Sequence, residues 1–352
     1  MLPNLPQFSV TMAAVLRAGY TCVNVNPLYT ARELEHQLKD SGATAIVILE
    51  NFAATLSEVI DRTQIQHTVL ASIGDLLGPF YGRWMTFAVR HLAKMVPEFE
   101  LPLSDKHKVT SFKQAISEGR QLTFKSVPQS LDDIAFLQYT GGTTGLSKGA
   151  VLTHRNIVAA ILQAETWFAP ALERMPDLRK VNSIAALPLY HIFALTLCLL
   201  AIRQGSHLTL VPNPRDFAKF IETLKTRPFH LLPGVNTLFN ALLQHPMFKT
   251  IDFSHLCLTQ AGGMAASEGT ARAWQAATGS AMIEGWGMSE TCAIGTNNPV
   301  TQTSFSGSIG LPLPSIDMAI KDEQGNSLAQ GESGEICIRG PNVMPGYFNQ
   351  AT

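Results

Sequence analysis

Short β-branched runs alternate with amphipathic stretches along this chain, and that alternation limits the folds open to it. Residues 21–26 (TCVNVN), Ala45–Leu49 (AIVIL) and 68–71 (TVLA) read as strands. Between the first two, Ala31–Ser41 reads as a helix, with Gly42 placed to close it in the left-handed conformation. That alternation indicates parallel strands joined by crossover helices. The second half repeats the style, with strands expected at 183–187, 207–211, 229–232, 255–259 and 282–284 and helices at 217–226 and 235–244. From Ser306 onward, turn-rich stretches such as KDEQGNS and GESGEICIRG separate shorter strands. The expectation is an α/β chain of two doubly wound subdomains, 1–170 and 178–300, followed at 305–352 by the start of a small β-barrel module. Residues 72–130 are less regular, and no internal repeat is evident.

The stretch YTGGTTGLSKG, Tyr139 to Gly149, is rich in glycine and hydroxyl side chains and carries Lys148. Glycine lets backbone N–H groups approach an anion, and hydroxyls and the ammonium add donors, so phosphate is the expected guest. The spacing does not match a Walker A loop or a dinucleotide fingerprint. The flanks read as strands on both sides, 134–139 and 149–153, with Thr153 capping a helix that starts near Arg155. This is a strand–loop–strand clasp; the bland alternative is a polar hairpin turn.

Composition narrows the partners. Of 352 residues 46% are hydrophobic and 15% charged, and the formal net charge of −1 gives no reason to expect a nucleic-acid partner. Five cysteines are scattered without a C-x-x-C pair, which suits a reducing compartment and buried thiols. No His/Cys spacing suggests a metal cage. The opening residues lack the basic start of a signal peptide. The most apolar run, 192–202, has about half the residues a membrane-spanning helix needs. A cytoplasmic location is expected.

Three further motifs are individually weak. PLYHIF, 188–193, puts His191 at the mouth of an apolar segment, where a lone histidine is more often a satisfied core residue. TQAGGMA, 259–265, places two glycines after a strand, where doubly wound sheets leave a ligand crevice. EGWGMSETCA, 284–293, sets Trp286 between glycines with Ser289 and Glu290 just after. An aromatic there can stack on a base, and a carboxylate beside phosphates can hold Mg2+; a Trp is as a rule core, and a surface Glu solvated. The helix beginning at Val235 has Leu238, Phe239 and Leu242 on one apolar face with it, which suits core packing and tunnel lining equally.

Taken in order, the clasp, PLYHIF, the paired glycines, GWGMSET and GEICIRGPNVMPGYF resemble the adenylate-forming superfamily, which includes acyl-CoA synthetases, luciferases and adenylation domains. VNVNPLYTARELEHQLKDSGA, LQYTGGTTG, THRNI, LPLYHIFALT, GVNTLFNALL and SGSIGLPLPS resemble bacterial long-chain fatty-acid–CoA ligases across essentially the whole chain. The resemblance implies ATP, Mg2+ and coenzyme A as cofactors or co-substrates and a long-chain fatty acid as substrate. Tyr139, Thr140, Gly141, Gly142, Thr143, Thr144, Gly145 and Lys148 would wrap the ATP phosphates. Gly262, Gly263, Gly285, Trp286, Gly287, Met288 and Ser289 would surround the nucleotide, and Glu290 with Thr144 would hold Mg2+. Lys148, His191 and Glu290 would be catalytic, and His191, Val235, Asn236 and Gln260 would contact the acyl substrate. Trp286 stands where many members carry Tyr, Ser289 where most carry Thr, and Ser147 where Pro is frequent.

The resemblance also implies a longer enzyme, with an earlier start, a ribose-gripping Thr-Gly-Asp segment, a hinge and a mobile C-terminal domain bearing the adenylation lysine. The expected reading is a fragment that by itself is partial or inactive. Alternatives are an acyl-AMP ligase that serves a carrier protein and a non-catalytic nucleotide- or acyl-binding remnant. A homodimer is a further expectation. So is a peripheral membrane contact through 82–96, at the inner face of the cell membrane. Read as a helix, 81–97 puts Met85, Val89, Leu92 and Val96 on one stripe and Arg83, Arg90 and Lys94 on another.

Overall fold

The computed structural model describes residues 1–102, 106–141, 146–175 and 180–350. The chain divides into two compact units, Met1–Val151 with the segment from Gly346 on, and Leu152–Pro345.

In the first unit, Ala45–Leu49, His67–Ala71 and Lys108–Ser111 form a parallel sheet. A second sheet contains Cys22–Val23, Ile134–Tyr139 and Gly149–Thr153 in the order first, second, third. Helix Ala31–Ser41 is fixed at both ends. Thr30 accepts from the Glu33 N–H while the Glu33 carboxylate accepts from the Thr30 N–H, and Gly42 ends the helix at φ 63°. Leu34 and Leu38 pack with Ile46, Ile48 and Leu56 in this unit's core.

The second unit is built on a seven-stranded sheet. Its parallel part comprises Asn182–Ala185, His207–Leu210, Leu231–Gly234, Leu258–Ala261 and Met282–Trp286. Counted along the chain these lie in the order second, first, third, fourth, fifth, and antiparallel Thr296–Asn297 and Leu311–Pro312 extend the far edge. Asn182–Ala185, Leu231–Gly234 and Leu258–Ala261 are buried at every position, as expected for parallel strands covered on both faces. One face carries Phe220, Leu224, Phe239, Leu242 and Trp274, the other Ala164, Phe168, Leu197 and Leu200. Helix His154–Leu172 starts at the Thr153 cap with a reciprocal Asn156 bond.

Two strands lie later than expected. The chain pairs over Leu231–Gly234 rather than 229–232, and over Leu258–Ala261 rather than 255–259. Phe229 is drawn into the core, and residues 253–256 are a turn in which the Leu256 N–H donates to the Phe253 carbonyl. Beyond Ser306, the described residues supply the edge strand Leu311–Pro312 and an antiparallel pair, Asp317–Lys321 with Glu335–Arg339.

Candidate active site

The clasp is a strand–loop–strand element. Its stem closes where the Thr140 N–H donates to the Lys148 carbonyl at 3.0 Å. Gly142, Thr143, Thr144 and Gly145 lie outside the described residues. Helix Ala31–Ser41 braces both sides of the stem. Tyr139 donates its hydroxyl to the Asp40 carboxylate at 2.5 Å, and His36 Nε2 donates to the Ser147 carbonyl at 2.9 Å. Burial, then the hydrogen bond to Asp40 and its charge, pushes the Tyr139 phenol above its ordinary range, so it stays a donor. Behind the stem, Phe348 N–H donates to the Gly149 carbonyl at 2.8 Å, and Lys148 Nζ lies 5.3 Å from the Tyr347 ring centroid. Lys148 is exposed. Its charge rests on an aromatic face, an interaction weak enough at an exposed site to be exchanged for a phosphate.

In the second unit the strand order reverses between Asn182–Ala185 and Leu231–Gly234. A doubly wound sheet leaves its ligand crevice beyond the carboxyl ends of the strands that flank such a reversal. The segments leaving those two ends carry His191 and Val235, and both line a cavity of about 550 Å³. Gln260, Gly262, Gly263, Gly285, Gly287, Met288 and Ser289 line it as well. Its apolar side is made by Phe168, Leu187, Ile192, Phe193, Leu197 and Leu313. The switch point therefore brings together nine of the residues singled out from sequence. Leu238, Phe239 and Leu242 are buried in the core, so within that helical stripe only Val235 reaches the cavity.

His191 immediately precedes the apolar helix Ile192–Arg203, its ring 4.6 Å from that of Tyr190. Desolvation holds its pKa below the ordinary value, leaving a neutral imidazole at physiological pH. Buried Gln260 and Asn297 exchange amide hydrogen bonds at 2.9 and 3.3 Å. Two of the glycines leave no room for a side chain. A Cβ on Gly285 would lie 2.5 Å from Asn297 Oδ1, and one on Gly287 2.2 Å from the Ala293 carbonyl oxygen. Trp286, Asn236 and Glu290 are not among the cavity-lining residues. The Trp286 ring lies against Gly295, where a Cβ would come within 2.7 Å of it. Asn236 Oδ1 accepts from the Ser267 N–H, which leads into helix Glu268–Thr278.

Glu290 sits in the single turn Ser289–Thr291. Two residues with left-handed backbone follow it, Cys292 at φ 52° and Ala293 at φ 67°. Such a pair costs free energy and persists only when its surroundings hold it. The holder is Asn342, fully buried, whose amide donates to the Thr291 and Ile294 carbonyls at 2.9 and 2.6 Å. Thr196 adds a hydroxyl bond to the Cys292 carbonyl at 3.1 Å. Half-buried Glu284 accepts from the Ala266 N–H at 2.8 Å and so fixes the loop after the paired glycines. Burial raises its carboxyl pKa. Sequence reading missed Asn342, Thr196 and Glu284, although each lies inside or beside a quoted motif, because their partners are backbone atoms far away along the chain.

No group of three or more His, Cys, Asp or Glu side chains placed to hold a metal occurs among the described residues. Glu290 offers one hard oxygen donor group. That donor chemistry fits Mg2+ delivered on nucleotide phosphates, since this ion takes one or two protein carboxylates and fills its sphere with phosphate and water.

The AMP-binding enzyme family matches residues 1–348. A long-chain-fatty-acid–CoA ligase of Yersinia pestis is 46% identical over 351 residues, covering 99% of this chain and 61% of its own length. A long-chain-fatty-acid–CoA ligase structure from Archaeoglobus fulgidus superposes with a TM-score of 0.75 at 24% identity, covering 99% of this chain and 63% of the other. ATP-bound MatB from Rhodopseudomonas palustris gives a TM-score of 0.71 at 25% identity, covering 97% and 59%. The chain thus spans about three-fifths of the length of these relatives. With motifs, switch-point cavity and sequence match in agreement over nearly every residue, this chain belongs to the AMP-binding enzyme family.

Proposed function

We propose that this chain is the substrate-activating part of an ATP-dependent long-chain fatty-acid–CoA ligase. The observation that carries the reading is the cavity at the switch point. One side is apolar enough for an alkyl chain, and the other is formed by glycine turns and by His191, a polar group at the rim. The identity shared with fatty-acid ligases supports the choice of acid.

The reaction has two steps. A carboxylate oxygen of the fatty acid attacks the α-phosphorus of ATP, and the bond to the bridging oxygen breaks, releasing pyrophosphate and leaving acyl-AMP. The sulfur of coenzyme A then attacks the acyl carbonyl, AMP departs, and the thiol proton passes to solvent. The first step needs little covalent help from protein; it needs alignment and neutralised phosphate charge. Lys148 and the clasp N–H groups are assigned the phosphates, and the turns at Gly263, Gly285 and Gly287 the adenine. Neutral His191 orients the carboxylate by hydrogen bonding without adding a competing charge. Mg2+, when bound through Glu290, supplies charge neutralisation on the phosphates.

The test is acid-dependent exchange of labelled pyrophosphate into ATP, in a protein extended to the relatives' full length. Palmitate should support exchange. Lys148→Ala should reduce it by about 2–4 kcal/mol of transition-state stabilisation, or roughly 30- to 1,000-fold. Exchange at the wild-type rate in that variant would remove Lys148 from the phosphate site.

A further inference from the structure

Helix Pro79–Phe87 and the wider π turn Ala88–Leu92 that continues it turn their largest side chains outward. Phe80 is 86% exposed, Trp84 60% and Phe87 52%, with Leu92 and Met95 beyond them at 67% and 60%. Phe80, Trp84 and Phe87 recur at i, i+4 and i+7 and so share one face. The His91 ring packs on Phe87 at 4.9 Å. A surface helix ordinarily does the reverse, burying its apolar stripe. Here the inward side is small. Gly82 lies so close to Gly74 that a Cβ on it would come within 2.1 Å of the Gly74 carbonyl oxygen, and Val89 is buried.

The stripe expected from sequence is thereby corrected. Val89 does face inward and Met85 is half-buried, but Leu92 is exposed and the aromatic residues form the open face. The orientation is held by polar ties. Arg90 forms an ion pair with the buried carboxylate of Glu50, and Asn51 Nδ2 donates to the Met95 carbonyl at 2.9 Å. Arg90 therefore belongs to the fold, whereas Arg83 and Lys94 are exposed. No Asp or Glu occurs between Pro79 and Pro97.

We propose that this face docks on an anionic lipid surface, of which the inner face of a cell membrane is one. Aromatic rings on an open helix face, flanked by cations, are the composition of a helix that lies in the headgroup region. A second copy of the chain would also cover apolar rings. Two copies would bring Arg83 and Lys94 toward the same cations with no carboxylate in the segment to answer them. An anionic surface answers both the rings and the charge.

The test is co-sedimentation of the 352-residue chain with vesicles of phosphatidylcholine, alone and mixed with phosphatidylglycerol, at low and high salt. The chain should bind the anionic vesicles and release them as salt rises. Arg83→Glu with Lys94→Glu should weaken binding at least about 25-fold, taking roughly fivefold for each lost cation. Phe80→Ser, Trp84→Ser and Phe87→Ser together should abolish binding at either salt. All five side chains are exposed, and an unchanged thermal midpoint would verify the fold of each variant. On adding vesicles the tryptophan emission should shift to the blue in wild type and not in Trp84→Phe. Failure of the wild type to bind anionic vesicles, or equal binding by both multiple variants, overturns the proposal. So does self-association in lipid-free solution that the aromatic variant abolishes, which would assign the face to a second copy.

Discussion

Asn342 holds the Glu290 turn through one buried amide. Its two bonds satisfy the Thr291 and Ile294 carbonyls next to consecutive left-handed residues. Without that amide the Thr291 carbonyl keeps the Ile294 N–H at 3.0 Å, but the Ile294 carbonyl loses its donor, and an unpaired acceptor costs about 1–3 kcal/mol. Asn342→Ala should therefore lower stability by about 1–3 kcal/mol, read as a shift in the urea midpoint at constant m-value. A change inside the error of that midpoint would mean that the strained turn is held by other contacts. His230 makes a second residue-level prediction. Its Nδ1 accepts from the Asn182 N–H at 2.8 Å and must be unprotonated there; burial, with the nearby His255 charge, lowers its pKa from 6.5. The unfolded chain therefore binds the proton first as pH falls. The histidine's contribution to stability is complete above about pH 6.5 and declines from there toward the lower folded value. His230→Gln should lower stability near neutrality and flatten its fall below about pH 6.5. Denaturant unfolding at a series of pH values checks this, and parallel profiles for the two proteins would refute it.

Among the elements, helix Ala31–Ser41 has a role its own periodicity does not announce. Its Leu34 and Leu38 pack the core, while His36 and Asp40 hold the two sides of the clasp. Tyr139→Phe removes a bond to a charged acceptor, worth about 1.5–3 kcal/mol. It should also loosen the clasp, so affinity for a fluorescent ATP analogue should drop severalfold. Lost stability with unchanged nucleotide affinity would confine this bond to the fold. Much of the element plan is legible in sequence: the capped helix, the parallel runs and the clasp between two strands all carry local signals. Boundaries failed where tertiary packing overrode them. Pro233 and Gly234 look like a strand stop, yet both pair with the next strand, and the Phe239 ring fills the space a Cβ on Gly234 would need. The segment 79–92 misled for the opposite reason, since its period is helical but the buried face is set by Gly74 and Gly82 rather than by its large apolar residues.

At the scale of the whole molecule, the cavity follows from topology. The strand order is not written in any local motif; it arises when the crossover after Asn182–Ala185 carries the chain to one side and the next crossover returns it to the other. Once that order exists, PLYHIF and GVN must meet, and the motifs acquire a shared surface. Val235 is the one member of its apolar stripe on that surface. The central claim is that this surface receives a long-chain acyl-adenylate. It is tested most directly by calorimetric binding of a non-hydrolysable palmitoyl-adenylate analogue to the 352-residue chain, set against the acetyl analogue and repeated in Val235→Trp. Burying a methylene contributes about 0.8 kcal/mol, so even partial burial of the chain should favour the palmitoyl compound by at least about a hundredfold. Val235→Trp should erode that preference while leaving the acetyl compound's affinity nearly unchanged. Equal affinity for the two analogues in wild type would contradict the assignment of this cavity to the acyl chain.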